Sequence, residues 1–400
     1  MKAKVWKLFC LLSIMIFTFS AAASVHAASL VTTIALGSGP YGVAYDSGMH
    51  EVFVADCHSG DVKVISDSTN TVVQTVTATA LSSSPFYLAY DSGKGEIFVV
   101  ESNDVDVLSD SSNTVVATIP LADGQAVAYD SSKGEVFVQT SFDSIQVISD
   151  SSNTVVANIT TPGVGYFAYD SAKGEIFAAE TNVNTGAIDI AVISVETNSV
   201  VTTIPVSTLP GSLVYDSSKG YIYVLAAGGT LDVISDSSNK VVATIPNLND
   251  QQDSPMAYDS GKGEIYVNPG NVVQVISDST NTLVGTVNDS GTQYVDLGVA
   301  YDSGTGTIYA VNNGGEYGYS GSLAVISDAS TGTSTPTVTA SPTSAASSSP
   351  STSSSTGATS TPKVPEFSVP SLTLIAAAFA AVTLCAVALA RKKQRANDHK

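Results

Sequence analysis

Short apolar runs alternate with polar turn residues through most of the chain, and no long stretch has a helical period. One unit of this pattern contains four such runs, at residues 42–45, 51–54, 62–65 and 71–76, separated by Gly, Asp, Asn and Ser. Short runs that are rich in β-branched and aromatic residues and bounded by such clusters indicate β-strands. We therefore predict an all-β region in which each unit contributes four strands, named A to D.

The unit recurs along the chain with a nearly constant period of 39 to 46 residues. Such a period indicates a repeat architecture built from one supersecondary unit, and four antiparallel strands per unit are typical of a β-propeller blade. We predict seven blades, because the tripeptide Tyr-Asp-Ser occurs seven times. Its copies begin at Tyr45, Tyr90, Tyr129, Tyr169, Tyr215, Tyr258 and Tyr301.

The two ends of the repeat region complement each other. Residues 31–34, Val-Thr-Thr-Ile, are identical to residues 201–204, which belong to a D strand. The last unit offers strands A, B and C at 297–300, 307–311 and 323–327 and then passes into Ser, Thr and Pro. We predict a propeller over residues 29–331, closed into a ring by the N-terminal strand, which leaves only short sheet edges.

The flanking segments predict export and anchoring. Residues 1–27 combine three Lys, an apolar run and small residues up to Ala27, as a secretory signal peptide does; a retained N-terminal anchor is the alternative. Residues 332–363, rich in Ser, Thr and Pro, predict a disordered and O-glycosylated stalk. Residues 369–390 carry no charge and precede a basic cluster that begins at Arg391, which predicts a transmembrane helix with a cytoplasmic end. The propeller is then expected outside the cytoplasmic membrane, at the cell surface.

The charge balance excludes one class of partner. The chain has 36 acidic and 16 basic residues, and residues 29–331 hold seven Lys and no Arg against 34 acidic residues, a net charge of −27. Such a surface repels phosphate backbones, so we expect no nucleic-acid binding. Of the three cysteines only Cys57 lies in the predicted propeller, which therefore has no intramolecular disulfide.

Two resemblances to known families extend this picture. Residues 112–120, Ser-Asn-Thr-Val-Val-Ala-Thr-Ile-Pro, and residues 42–45, Gly-Val-Ala-Tyr, resemble the YVTN family of β-propeller repeats, common in archaeal surface-layer-like proteins. The tetrapeptide that names that family is absent, and residues 309–312 and 53–56 are its nearest equivalents. The resemblance covers all seven units and implies a surface-exposed propeller.

The C-terminal segment, residues 364–395, resembles the archaeal PEF-type sorting signal. It combines Val-Pro-Glu-Phe at 364–367 with the apolar span and the basic end. The resemblance implies processing by an archaeosortase and transfer to a surface anchor. An ordinary single-span membrane anchor is the alternative.

The most repeated polar residue, the Asp of Tyr-Asp-Ser, has two interpretations. Asp bonds backbone amides two residues on, and the Gly that follows in most units supplies the positive φ of a tight turn. A ring of calcium ligands is the other interpretation, but no Asp-x-Asp-x-Asp-Gly loop is present. We predict turns.

The departures from the repeat indicate where a ligand would bind. The A–B and C–D turns share one face of the disc, the constant face, and the B–C and D–A loops share the other, the variable face. Binding groups tend to lie on loops held by a rigid scaffold, so we predict a ligand site on the variable face over the central channel, unless those loops vary only for lack of constraint. Its candidate residues are Asp56, His58, Glu101, Glu180, Tyr317 and Tyr319.

Two further features bear on chemistry. Cys57 and His58 are neighbours that could form an activated thiolate or bind a transition metal, although no second ligand at metal spacing is evident. Asn158 and Asn288 head N-glycosylation sequons that we place after D strands on the variable face.

Together these features predict a cell-surface module for binding, adhesion or envelope structure. We expect it to need no cofactor, to have no enzymatic activity and to bind other surface proteins or glycans. An extracytoplasmic propeller enzyme of the lactonase or lyase kind, with its site at the channel mouth, is the alternative, and an electron-transfer or metal-carrying domain is more remote.

Overall fold

Each blade is one four-stranded antiparallel sheet. The computed structural model describes residues 28–328 except 78–79, 83, 122, 141–143, 162–163, 182–185, 250–253, 271, 290–297 and 315–319. The predicted signal peptide, stalk, PEF-like motif and transmembrane helix lie outside these residues, as do Tyr317 and Tyr319. No helix capable of crossing a membrane occurs in the described part of the chain.

Seven sheets of four strands confirm the predicted all-β, seven-bladed propeller. The A strands are β2 (Pro40–Asp46), β6 (Pro85–Asp91), β10 (Gly124–Asp130), β14 (Val164–Asp170), β18 (Pro210–Asp216), β22 (Met256–Asp259) and β26 (Val299–Asp302). The B strands are β3 (Glu51–Asp56), β7 (Glu96–Glu101), β11 (Glu135–Thr140), β15 (Glu175–Thr181), β19 (Tyr221–Ala226), β23 (Glu264–Val267) and β27 (Thr307–Asn312). The C strands are β4 (Asp61–Ser66), β8 (Asp104–Ser109), β12 (Ser144–Ser149), β16 (Ile188–Ser194), β20 (Thr230–Ser235), β24 (Val272–Ser277) and β28 (Ser320–Ser327). The D strands are β5 (Thr71–Val76), β9 (Thr114–Pro120), β13 (Thr154–Thr160), β17 (Ser199–Pro205), β21 (Lys240–Ile245), β25 (Thr282–Asn288) and β1 (Ser29–Ser38).

The core lies between neighbouring blades, and the B strands supply its largest side chains. One hydrophobic cluster joins Val52 and Val54 of blade 1 to Tyr309 and Val311 of blade 7. Both faces of a B strand are buried in this way, which explains why its sequence is a continuous apolar run rather than an alternating one. Each B strand contributes one fully buried aromatic ring, from Phe53, Phe98, Phe137, Phe177, Tyr223, Tyr266 or Tyr309.

The repeated Asp builds the A–B turn, as predicted. Asp91 Oδ1 accepts the backbone N–H groups of Gly93 at 2.7 Å and Lys94 at 3.1 Å. Gly95 ends this turn with φ 68°, and its N–H donates to the Asp91 carbonyl at 3.0 Å. A Cβ on Gly95 would lie 2.3 Å from Asp110 Oδ2, so both the positive φ and the close approach require glycine here.

The same turns connect adjacent blades on the constant face. The Tyr169 hydroxyl of blade 4 donates to Asp130 of blade 3 at 2.5 Å. Lys219 of blade 5 lies 2.7 Å from a carboxylate oxygen of Asp278 in blade 6. The repeated Tyr, Asp and Lys thus hold neighbouring blades together, which explains why the sequence of the constant face varies so little between units.

The first strand, β1, pairs with β28 in the same sheet as β26 and β27. Its register places Ile34 opposite Leu323 and Ala35 opposite Ser322. Ile34 and Leu36 are buried in the cluster that contains Val52 of blade 1. The N-terminal segment thus occupies the D position of blade 7 and contacts the core of blade 1.

Candidate functional site

The A strands of all seven blades line one central cavity of about 170 Å³. Each blade contributes two residues, from its A strand or, for Pro255 and Gly298, from the position just before that strand, and none of these fourteen described residues is charged. They are Gly42, Val43, Tyr87, Leu88, Ala126, Val127, Tyr166, Phe167, Ser212, Leu213, Pro255, Met256, Gly298 and Val299. A channel with this lining favours neutral groups with an apolar face over ions.

An aromatic cluster lies at the variable-face end of this channel in blades 1 and 2. The Tyr41 ring meets the Phe86 ring edge-on at a centroid distance of 5.5 Å and the Tyr87 ring at 5.3 Å. Such edge-to-face pairs contribute roughly 0.5–1.5 kcal/mol beyond the area they bury. All three rings are half-buried, so they combine a fixed orientation with surface that a ligand can contact.

These aromatic residues were missed in the sequence, although a signal existed. They occupy the third and fourth positions before the Tyr of Tyr-Asp-Ser, where units 3, 5, 6 and 7 have no aromatic residue. Units 1, 2 and 4 instead place Tyr41, Phe86, Tyr87 and Tyr166 there.

Asp56 ends strand β3 and is fully buried. Burial, and after it the neighbouring carboxylate of Asp61, raises the pKa of Asp56 to about 6, against the opposing effect of Lys63. Lys63 Nζ donates to Asp61 Oδ2 at 2.8 Å. The B–C connection of blade 1 therefore holds two carboxyl groups and one ammonium that offset each other locally.

Cys57 and His58 follow Asp56 in the same B–C turn. Cys57 is buried, and burial together with the Asp56 carboxylate raises the pKa of its thiol to about 11. The sulfur therefore remains protonated at neutral pH, which is unfavourable for a thiolate nucleophile or metal ligand. His58 is exposed beside Gly39, whose φ of 75° and lack of a side chain allow the imidazole to approach.

Glu101 and Glu180 occupy the equivalent place in blades 2 and 4. Glu101 is fully buried at the end of β7 and hydrogen-bonds the Asp104 carboxyl across the B–C turn, where burial raises the pKa of Asp104. Glu180 is buried in β15 opposite Asp189, and burial followed by that carboxylate raises its pKa. Each candidate carboxylate thus has its own acidic neighbour within one blade.

The structure therefore places three predicted site residues on one face without assembling them. Asp56, Glu101 and Glu180 belong to three different blades, at the same position of each. Across the described residues, no group of three or more His, Cys, Asp and Glu side chains is arranged to hold a metal ion.

The predicted position of the two sequons is wrong. Asn158 lies inside strand β13 and Asn288 is the last residue of β25, so both belong to D strands rather than to the loops that follow. Asn158 accepts a hydrogen bond from Ser144 Oγ at 2.9 Å. Asn158 stands before the buried Ile159 in its strand, and Asn288 directly follows the buried Val287.

Comparison with known proteins supports the fold. No protein-family model and no curated protein matches the chain. Among solved structures the chain is similar to hydrazine synthase of Kuenenia stuttgartiensis, with a TM-score of 0.59 and 16% identity over 69% of this chain and 93% of that chain. The chain is a seven-bladed β-propeller. At this identity the similarity carries no information on activity.

Proposed function

We propose that this propeller is a cell-surface-anchored module for binding, adhesion or envelope structure. The observation that carries the proposal is the central channel, lined by neutral residues of all seven blades and bordered by the aromatic cluster of Tyr41, Phe86 and Tyr87. Half-buried tyrosines present an apolar ring and a polar tip, which suits glycans and protein loops. The partners in this proposal are glycans or other surface proteins.

Three finer elements belong to the same proposal. The N-terminal strand closes the ring, supported by the pairing of β1 with β28 and by Ile34 in the core shared with blade 1. The repeats are of the YVTN type, and the C-terminal segment is a PEF-type signal or membrane anchor, supported by the sequence resemblances alone.

The location is tested by protease treatment of intact cells. We expect release of a fragment that contains the propeller, because the proposal makes residues 332–363 an exposed stalk between the propeller and the membrane. Mass spectrometry of the mature protein then reports whether the span from residue 369 is retained. A propeller that resists release until the cells are lysed contradicts a surface location.

The binding site is tested with Tyr41→Ala in the full-length protein, using a glycan array and capture of surface proteins. Tyr221→Ala is the matched control, because Tyr221 is a half-buried tyrosine that begins β19 on the constant face. Loss of a bound partner with Tyr41→Ala and not with Tyr221→Ala supports the channel entrance. Equal losses contradict it.

The enzymatic alternative has weaker support. A lactonase or lyase would need acid and base groups within reach of one substrate atom. The carboxylates that could serve, Asp56, Glu101 and Glu180, lie in separate blades and interact with Asp61, Asp104 and Asp189 instead.

A further inference from the structure

The outer edge of every blade carries a β-bulge at the same position. In blade 1, Val64 pairs with Gln74 and Ile65 pairs with Val72, so Val73 has no partner in the ladder. The other six C–D ladders skip one residue in the same way, and that residue is always valine. The bulged residues are Val31, Val73, Val116, Val156, Val201, Val242 and Val284.

These seven valines, named here the valine rim, are exposed to solvent. Their exposed fractions run from 38% at Val284 to 56% at Val31, and no neighbouring blade covers them. In several blades the preceding residue is exposed as well, as Val72, Val155 and Leu283 are. Every blade therefore presents apolar surface on its outer edge.

Charge is distributed unevenly between this edge and the two faces of the disc. None of the seven D strands contains Asp or Glu, and Lys240 is the one charged residue in them. The propeller region as a whole has a net charge of −27. The acidic residues thus lie on the faces and inner strands, and the rim is nearly neutral.

The bulge determines the kind of contact that such an edge can make. An exposed edge strand invites another strand to pair with it, and proteins prevent this with bulges and with charged side chains, above all Lys. Here the bulge interrupts the ladder at every edge, yet the bulged side chain is valine rather than Lys. Strand addition is thereby disfavoured while apolar side-chain packing remains open.

We propose that the valine rim is a lateral contact surface between copies of this chain. Two acidic propellers repel each other face to face, and the neutral rim is where they approach with the least repulsion. The argument rests on the proposed function in one respect: anchoring to a common membrane would raise the local concentration of the copies and so favour contact between them. Asn158 lies two residues after Val156 in β13, so a glycan on it would block the edge of blade 3.

The test is sedimentation velocity of the full-length protein in mild detergent at low and high salt. We expect concentration-dependent self-association that strengthens with salt, because salt screens the acidic repulsion and leaves apolar contact intact. The triple variant Val73→Asp, Val116→Asp and Val242→Asp should weaken association by about tenfold or more. A control with the same net charge places three Asp on exposed constant-face turns, at Ser92, Ser131 and Ser217.

The outcomes separate the contact from its alternatives. Retained association in the control and its loss in the rim variant support the proposal. A monomeric wild-type chain at high salt, or equal weakening in rim variant and control, overturns it. Since Asp could disturb a strand, a Val→Thr triple at the same positions keeps β-branching and should weaken association with unchanged circular dichroism. A propeller that associates through its rim but is absent from the cell surface would leave this contact standing and refute the proposed function alone.

Discussion

Replacement of Glu264 by Gln should stabilise the propeller at neutral and alkaline pH and not at acidic pH. Glu264 begins β23 at the junction of blades 6 and 7 and is 6% exposed. Burial raises the pKa of its carboxyl to about 7, with Asp259 and Asp328 acting in the same direction. The Tyr266 hydroxyl, which donates to Glu264 Oε2 at 3.2 Å, and the Lys262 ammonium oppose that rise.

The sign follows from the proton balance between the two states. The unfolded carboxyl releases its proton near pH 4.5, and the folded one releases it near pH 7. The stabilising effect of the bound proton is therefore fully present below about pH 4.5 and is lost as the pH rises through 7. The shift sets an upper limit of about 3 kcal/mol on this loss, and solvent screening reduces it to about 1–2 kcal/mol.

Urea unfolding of the full-length protein in mild detergent, followed by circular dichroism at pH 5 and pH 8, measures the difference. At pH 8 the Glu264→Gln variant should gain about 1–2 kcal/mol over the wild type, because Gln removes the buried charge and still accepts the tyrosine hydrogen bond. At pH 5 the gain should fall to a small part of its value at pH 8, because most of the loss occurs between about pH 4.5 and 7. Glu196→Gln is the control, since its side chain is 84% exposed and the same single charge is removed. A gain of the same size at both pH values, or in both variants, refutes the reasoning.

Two further predictions concern the turn and the closing strand. Gly95→Ala should lower the free energy of unfolding by about 1–3 kcal/mol more than Gly228→Ala does. Both positions have a positive φ, but only at Gly95 would the added Cβ meet Asp110. Equal losses in urea unfolding would show that the backbone strain alone determines the cost. Ile34→Ala should lower the free energy of unfolding by about 2–5 kcal/mol, and Val31→Ala should lower it by less than about 1 kcal/mol. Ile34 is buried in the core shared with blade 1, whereas Val31 is exposed on the same strand. If thermal unfolding shows no difference between the two variants, β1 does not close the ring.

The blades could be predicted from the sequence because local and long-range signals agree in every unit. Asp91 and Gly95 specify the A–B turn, and a continuous apolar run specifies a strand that is buried on both faces. The repeat then gives the number of blades without any knowledge of contacts between them.

The candidate site was less predictable, because a repeat specifies the position of a residue along its strand but not its distance from side chains of other blades. Asp56, Glu101 and Glu180 lie at the B–C end of their blades, and each interacts within its own blade. The channel entrance was missed because Tyr41 and Tyr87 come together only when the A strands of adjacent blades are side by side.

The valine rim shows the same limit at the level of single side chains. The sequence Thr-Val-Val at the start of a D strand indicates one valine facing each way, of which the inner one should be buried. Val155 is 40% exposed and Val156 is 53% exposed. The bulge adds one residue to the D strand, and the side chains around it no longer alternate between the two faces of the sheet. Periodicity cannot reveal a bulge that recurs in every unit, since the extra residue is itself part of the period. In this propeller, the surface that repeats most regularly after the turns is therefore apolar and exposed, and it is there, as well as in the variable loops, that a partner has to be sought.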